Sequence, residues 1–146
     1  MADAQGRLLG LDYGDKTVGV AVTDPLGITV QGVEIIHRDK ASKLRRTLAR
    51  IQELAEEYRV CGIVLGLPLR IDGSEGSRCE KTRQFGTLVE KRLAVPVFYQ
   101  DERLTTREAY EVMHTTGVRR EKKRDYVDEI AAMIILEDYL KANGTD

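Results

Sequence analysis

Three acidic residues stand where a predicted strand ends or a predicted helix begins. Asp12 ends the apolar run "LLGLD", Glu102 follows "VFYQD", and Asp128 lies near the start of "DYVDEIAAMIILEDYL". Carboxylates that converge repel one another, and at roughly 5 Å with an effective dielectric near 20 each pair costs about 3 kcal/mol. A divalent cation offsets this repulsion, because Mg²⁺ prefers oxygen ligands and retains waters that can act as nucleophiles. Two such ions would clamp a phosphodiester and stabilise its attacking and leaving oxygens.

Each acid also has a simpler structural explanation. Asp12 could close the turn that follows its strand, and Glu102 could pair with Arg103 or Lys91. Asp128 could stabilise the N-terminus of its helix through the macrodipole. Residue types and spacing therefore leave open both a shared metal site and three separate structural roles.

Two hydrophobic periodicities indicate the elements that would position these acids. Alternating apolar runs predict strands, and the turn signals "YGDK" and "DPLG" join them into an antiparallel meander over 7–12, 17–23 and 28–37. Helical spacing then alternates with buried-strand runs, which predicts helices in 41–58, 77–93, 105–115 and 126–142 and strands at 60–68 and 95–100. Because parallel strands need right-handed crossovers, this order predicts an α/β fold with one mixed sheet between helices.

The predicted fold places the three acids at one edge of the sheet. Open α/β sheets bind ligands outside the carboxyl ends of their strands, where Asp12 and Glu102 fall. Asp128 shares a helical face with small and apolar residues, namely Ala131, Ala132, Ile135 and Tyr139. That face should pack on the sheet, whereas the neighbouring acids are predicted to be surface charges: Glu129, Glu137 and Asp138.

Composition bounds the class of protein. The chain has 146 residues with 42% hydrophobic and 32% charged residues, which predicts a single globular domain and excludes the disordered class. The run "IAAMIIL" is too short to span a membrane, and the N-terminal segment lacks the features of a secretory signal, so we expect a cytoplasmic protein without a membrane partner. Cys61 and Cys79 lack zinc-ligand spacing.

Basic residues cluster although the net charge is −1. The segment "RREKKR" covers 119–124, and a looser set follows the third strand, consisting of Arg38, Lys40, Lys43, Arg45, Arg46 and Arg50. Such clusters could neutralise phosphates or could be ordinary solvated charge runs.

Four segments in order along the chain resemble the YqgF/RuvX family: "LGLDYGDKTVGVAVTD", "IVLGLPLRIDGSEG", "DERLTT" and "VDEIAAMIILEDYL". That family comprises Holliday-junction-resolvase-like proteins, also described as pre-16S rRNA nucleases. The resemblance implies one RNase H-like nuclease domain over 1–146, with a five-stranded mixed sheet whose first three strands are antiparallel. It also implies cleavage of structured nucleic acid that depends on one or two Mg²⁺ or Mn²⁺ ions. The substrate would be precursor 16S rRNA or a four-way DNA junction, and a junction resolvase would need two active sites, hence a homodimer.

The resemblance assigns the catalytic and metal-binding roles to Asp12, Glu102 and Asp128. In the usual strand order Glu102 lies two strands from Asp12, about 10 Å at the backbone, so three other acids are alternatives to it: Asp72, Glu75 and Asp101. Loop 69–78 is predicted to form a flap over the substrate, with a plain solvent loop as the alternative. The residues predicted to bind nucleic acid are Lys16, Arg70, Arg78, Arg103, Arg119, Arg120, Lys122, Lys123 and Arg124.

Two other functions remain open from the sequence. A protein of the same fold could bind nucleic acid or the ribosome without cleaving. The segment "LGLDYGDKTVGVAV" also resembles the phosphate-binding hairpin of actin-like ATPases and sugar kinases. Those proteins bind nucleotide between two lobes, whereas this chain has room for one lobe.

Overall fold

The elements follow the predicted order. The computed structural model describes residues 6–38, 44–70, 72–102 and 123–143, with the backbone alone for 123–128. Its elements are β1 (Arg7–Tyr13), β2 (Thr17–Thr23), β3 (Val30–His37), α1 (Leu44–Glu57), β4 (Val60–Leu67), α2 (Ser77–Leu93), β5 (Val97–Asp101) and α3 (Lys123–Ala142). The helix predicted at 105–115 lies outside the described residues, as do Arg103, Arg119, Arg120 and Lys122.

The five strands form one mixed sheet in the order β3-β2-β1-β4-β5. β1 pairs antiparallel with β2, and β2 pairs antiparallel with β3, so the predicted meander is confirmed. β4 pairs parallel with β1 on one side and with β5 on the other. β1 is therefore the central strand, and β5 lies two strands away from it.

β3 begins at Val30, two residues later than the sequence predicts. The reason lies in the side chain of Asp24, whose Oδ1 accepts a hydrogen bond from the backbone N–H of Ile28 at 2.7 Å. Asp24 also receives the backbone N–H of Gly27 on its carbonyl oxygen at 2.9 Å. Local side-chain bonds of this kind hold residues in a turn and keep them out of the strand ladder.

The two faces of the sheet are covered by different helices. α1 and α2 cover one face, where α1 buries the predicted apolar stripe that includes Leu48, Ile51 and Leu54. On the sheet side this core consists of large aliphatic residues from β1, β2 and β4, among them Leu9, Leu11, Val18, Val20, Ile63 and Leu65. None of the described helices combines the length and the apolarity that crossing a bilayer requires.

α3 covers the other face, and it does so at close range. A Cβ on Gly10 of β1 would lie 3.0 Å from the carbonyl oxygen of Ala132, so the helix backbone packs directly on the strand. Glu129 was expected at the surface, but it is half-buried against Gly32 of β3, and burial raises the pKa of its carboxyl group. The close approach follows from the small residues that face one another here.

Candidate active site

A cavity of about 390 Å³ opens beside the ends of β1, β4 and β5. It is lined by Asp12, Tyr13, Gly14, Pro68, Leu69, Arg70, Gly76, Ser77, Arg78 and Glu102. Its walls come from the β1–β2 turn on one side and from the β4–α2 loop with the start of α2 on the other. Two of the three predicted acids therefore share one cavity.

Strand alternation sets the direction of Asp12. Leu9 and Leu11 of β1 are fully buried against the α1 and α2 side, so Gly10 and Asp12 belong to the α3 side. The parallel register pairs Leu11 with Leu65, which places Gly66 of β4 level with Asp12. Asp12 thus stands at the end of the central strand beside a residue that has no side chain.

Glu102 reaches Asp12 across β4 because position 66 is glycine. The backbone N–H of Glu102 donates to the carbonyl oxygen of Leu67 at 3.2 Å, which anchors the residue directly after β5. A Cβ on Gly66 would lie 2.7 Å from Glu102 Oε2, so any larger residue would occupy the path of this carboxyl group. Gly66 is not among the predicted site residues, although a glycine inside a buried strand run signals a close approach.

The carboxyl groups of Asp12 and Glu102 are joined by a hydrogen bond. Burial raises the pKa of Glu102 well above its usual range, and the charge of Asp12 and their hydrogen bond raise it further, while Arg78 opposes the shift. Two carboxyl groups so placed hold a proton between them near neutral pH. Oxygen ligands that repel one another when ionised are a donor set that suits a hard divalent cation.

Asp128 lies on α3 one helical turn before Ala132, whose carbonyl oxygen packs on Gly10. The predicted buried face of this helix is confirmed by Ala131, Ala132 and Ile135, which are fully buried. The side chain of Asp128 is outside the described part of the chain. Within the described residues no group of three His, Cys, Asp or Glu side chains is arranged to hold a metal ion. The metal-binding role of Asp128 stays a prediction, as do those of Asp12 and Glu102.

The three alternative acids do not line the cavity. Asp72 Oδ1 accepts hydrogen bonds from the backbone N–H of Ser74 at 2.9 Å and from its hydroxyl at 2.6 Å. Glu75 accepts both guanidinium hydrogen bonds of Arg83, at 2.9 and 2.7 Å, and this pairing lowers the pKa of its carboxyl group. Asp101 is the last residue of β5 and lies outside the lining.

The residues predicted to bind nucleic acid differ in whether they line the cavity. Arg70 and Arg78 both line the cavity, whereas Lys16 lies exposed on the β1–β2 turn outside its lining. The last two residues of the loop predicted over 69–78 belong to α2. In the β4–α2 loop the backbone N–H of Arg70 donates to the carbonyl oxygen of Ser74 at 2.9 Å, and the carbonyl oxygen of Arg70 accepts from the N–H of Gly73 at 2.8 Å. Lys123 and Arg124 begin α3, with the backbone alone described.

Arg38 belongs to the basic set predicted either to neutralise phosphates or to be a solvated charge run, but it is a buried structural residue. Its guanidinium donates to the carbonyl oxygen of Gly14 and lies 5.0 Å from the ring centroid of Tyr13. Tyr13 in turn stacks on Phe85 of α2 with ring centroids 4.0 Å apart. Arg38 therefore fixes the β1–β2 turn that forms one wall of the cavity. Arg50, which belongs to the same basic set, forms salt bridges with two glutamate side chains.

A five-stranded mixed sheet with this strand order, and with carboxyl groups gathered at the ends of β1 and β5, defines a protein of the RNase H-like class. The same fold occurs in Thermus thermophilus RuvC, solved in complex with Holliday junction substrate. The TM-score is 0.59 at 13% sequence identity, over 96% of this chain and 97% of that one. The profile of the RuvX family, described as Holliday junction resolvase, matches residues 6–142, and the chain belongs to this family.

Relatives in several bacteria share a large part of the sequence. A protein of Agathobacter rectalis named "Putative pre-16S rRNA nuclease" is 57% identical over 134 residues, which cover 92% of this chain and 94% of that protein. A protein of the same name from Limosilactobacillus fermentum is 48% identical over 139 residues, which cover 94% of this chain and 95% of the relative. Family membership thus rests on nearly the whole chain.

Proposed function

We propose that this protein is a divalent-metal-dependent endonuclease that hydrolyses phosphodiester bonds in structured nucleic acid. The observation that carries the proposal is the hydrogen-bonded pair of Asp12 and Glu102, in a cavity whose walls include Arg70 and Arg78. The names of the relatives favour precursor 16S rRNA as the first substrate to test. The family description favours the four-way DNA junction as the second.

In this proposal the acids hold the metal and the arginines hold the substrate. Asp12 and Glu102 would bind Mg²⁺ or Mn²⁺ together with Asp128, and Glu102 would release its proton as the ion binds. A bound divalent cation supplies a Lewis acid and lowers the pKa of its water. Arg70 and Arg78 would draw the phosphate into the cavity and offset the negative charge that develops on it.

The deciding experiment is cleavage of precursor 16S rRNA fragments and of four-way junctions with Mg²⁺ or Mn²⁺. We expect Asp12→Asn and Asp128→Asn to lower the cleavage rate at least about 100-fold, because each removes a charged metal ligand. Glu137→Gln is the matched control, since Glu137 is an exposed acid on the same helix as Asp128.

Each result has a distinct meaning. Wild-type activity in Asp12→Asn or Asp128→Asn would refute the proposed site. Binding without cleavage, under every metal condition, would instead support a protein of the same fold that binds nucleic acid without cleaving it. Cleavage of one substrate and not the other identifies the substrate class. If the protein cuts two strands of the junction, two active sites are needed and the complex should contain two copies of the chain. Light scattering measures this number directly.

A further inference from the structure

A second, smaller cavity adjoins the first. Its volume is about 80 Å³, and it is lined by Tyr13, Gly14, Asp15, Arg78, Lys81 and Thr82. Tyr13, Gly14 and Arg78 also line the first cavity, so the two spaces meet at these residues. The small cavity therefore continues the acid-lined cavity between the β1–β2 turn and the first two turns of α2. It is far below the roughly 300–1,000 Å³ of a pocket for a drug-sized ligand.

Two cations of α2 face this cavity. Arg78 and Lys81 are three residues apart on the helix, so their Cβ atoms lie about 5–6 Å apart on one side of it. Neither forms an ion pair within 4.0 Å among the residues that the structure describes. The next cation, Arg83, is by contrast bound by Glu75 and lies 4.9 Å from the ring centroid of Tyr99. Lys81 thus keeps its charge available beside the cavity, and so does Arg78 apart from its longer-range attraction to Glu102.

We propose that the small cavity is a second phosphate subsite, in which Arg78 and Lys81 contact the backbone phosphate next to the one that is cleaved. The inference rests on the proposed function for the nature of the substrate. The strand would leave the acids along the β1–β2 turn, with Arg78 between the two phosphates because it lines both cavities. Asp15 is the opposing charge of this subsite, since its carboxylate lines the same cavity.

The test measures nucleic-acid binding, by fluorescence anisotropy with the full chain in metal-free buffer. We expect Lys81→Gln to bind the precursor RNA and the junction about 3–10-fold more weakly and to reduce the salt slope of the binding constant by about 1. Lys91→Gln is the matched control, because Lys91 is an exposed lysine at the other end of the same helix. Asp15→Asn should change affinity in the opposite direction, to about twofold tighter.

A series of substrates locates the contact. One backbone phosphate at a time is replaced by an uncharged methylphosphonate, and each substrate is measured with the wild type and with Lys81→Gln. One position should weaken the wild type several-fold and leave Lys81→Gln unaffected, because the variant has already lost that contact. If no position behaves in this way, or if Lys81→Gln binds like Lys91→Gln, the subsite is refuted.

The two proposals fail separately. If the wild type cleaves but Lys81→Gln binds and cleaves like Lys91→Gln, the subsite is wrong and the nuclease proposal stands. If the wild type never cleaves but the single-phosphate coupling to Lys81 is observed, the small cavity is a phosphate-binding site and the protein binds nucleic acid without cleaving it.

Discussion

The strands of the sheet present residues of different size on its two faces. The face under α1 and α2 is filled by large aliphatic side chains and by Phe85, which together form the larger core. The strands bring mostly small residues to the face under α3, where Gly10 lies against Ala132 and Leu136, Gly66 lies against Ile135, and Ala21 packs in the same cluster. The large side chains of the first face fill the space between the sheet and its helices and exclude water. The small residues of the second face let the backbone of α3 come close to the strands.

This difference has a chemical consequence, because the two acids of the cavity, Asp12 and Glu102, lie on the small-residue side. Asp12 follows Gly10 on the same side of β1, and Glu102 passes directly over Gly66. A carboxyl group from β5 can meet one from β1 because the strand between them carries no side chain at that point. The α1 and α2 face should therefore control stability, and the α3 face should control activity.

A matched pair of substitutions tests this separation, and it has the largest expected effects. Ile51→Ala removes a fully buried side chain of α1 and should lower the free energy of unfolding by about 2–5 kcal/mol. Gly66→Ala should cost about 1–3 kcal/mol through overpacking, yet lower the cleavage rate about 100-fold by displacing Glu102. Urea unfolding and cleavage rates well below the melting temperature measure the two quantities.

The comparison is broken if the two variants behave alike. An Ile51→Ala protein that is folded in the assay but inactive would mean that the larger core also sets the site. A fully active Gly66→Ala protein would mean that Glu102 does not need its path over β4.

Glu102→Gln tests the shared proton through stability. In the folded protein the pKa of Glu102 is raised, so the native state holds a proton that the unfolded chain loses above about pH 4.5. Wild-type stability should then fall as pH rises through neutrality, by up to about 1.4 kcal/mol per pH unit. Glutamine cannot ionise, so in metal-free buffer the variant should become increasingly more stable than the wild type between pH 5 and pH 8.

If the site binds a divalent cation as proposed, added Mg²⁺ should work against this ranking. Mg²⁺ should stabilise the wild type more than Glu102→Gln, because the variant lacks a charged ligand. Glu137→Gln serves as the control, because Glu137 is an exposed acid, and it should follow the wild-type pH profile. Parallel pH profiles for Glu102→Gln and the wild type would show that Glu102 is ionised in the folded protein.

The sequence predicts the elements of this fold better than it predicts the contacts of the site. Periodicity and turn residues locate the strands, and the turn after Asp12 marks it as a strand-end acid. The role of Gly66 depends on the lateral register of β4 with β1, which no local pattern encodes. Arg38 was misjudged for the same reason, because the pairing of Thr17 with His37 brings it beside the β1–β2 turn.

Arg38→Lys has the smallest expected effect, and it tests whether the aliphatic face also holds one wall of the cavity. Arg38 joins the turn to that face through the carbonyl oxygen of Gly14 and through Tyr13, which stacks on Phe85. Lysine keeps the charge but loses the planar, multiply donating guanidinium, so we expect about 1 kcal/mol of lost stability. Because the turn moves relative to Asp12, kcat should fall about 3–10-fold with little change in KM. A change in KM alone would instead mean that Arg38 acts on substrate binding, and unchanged kinetics would confine it to stability.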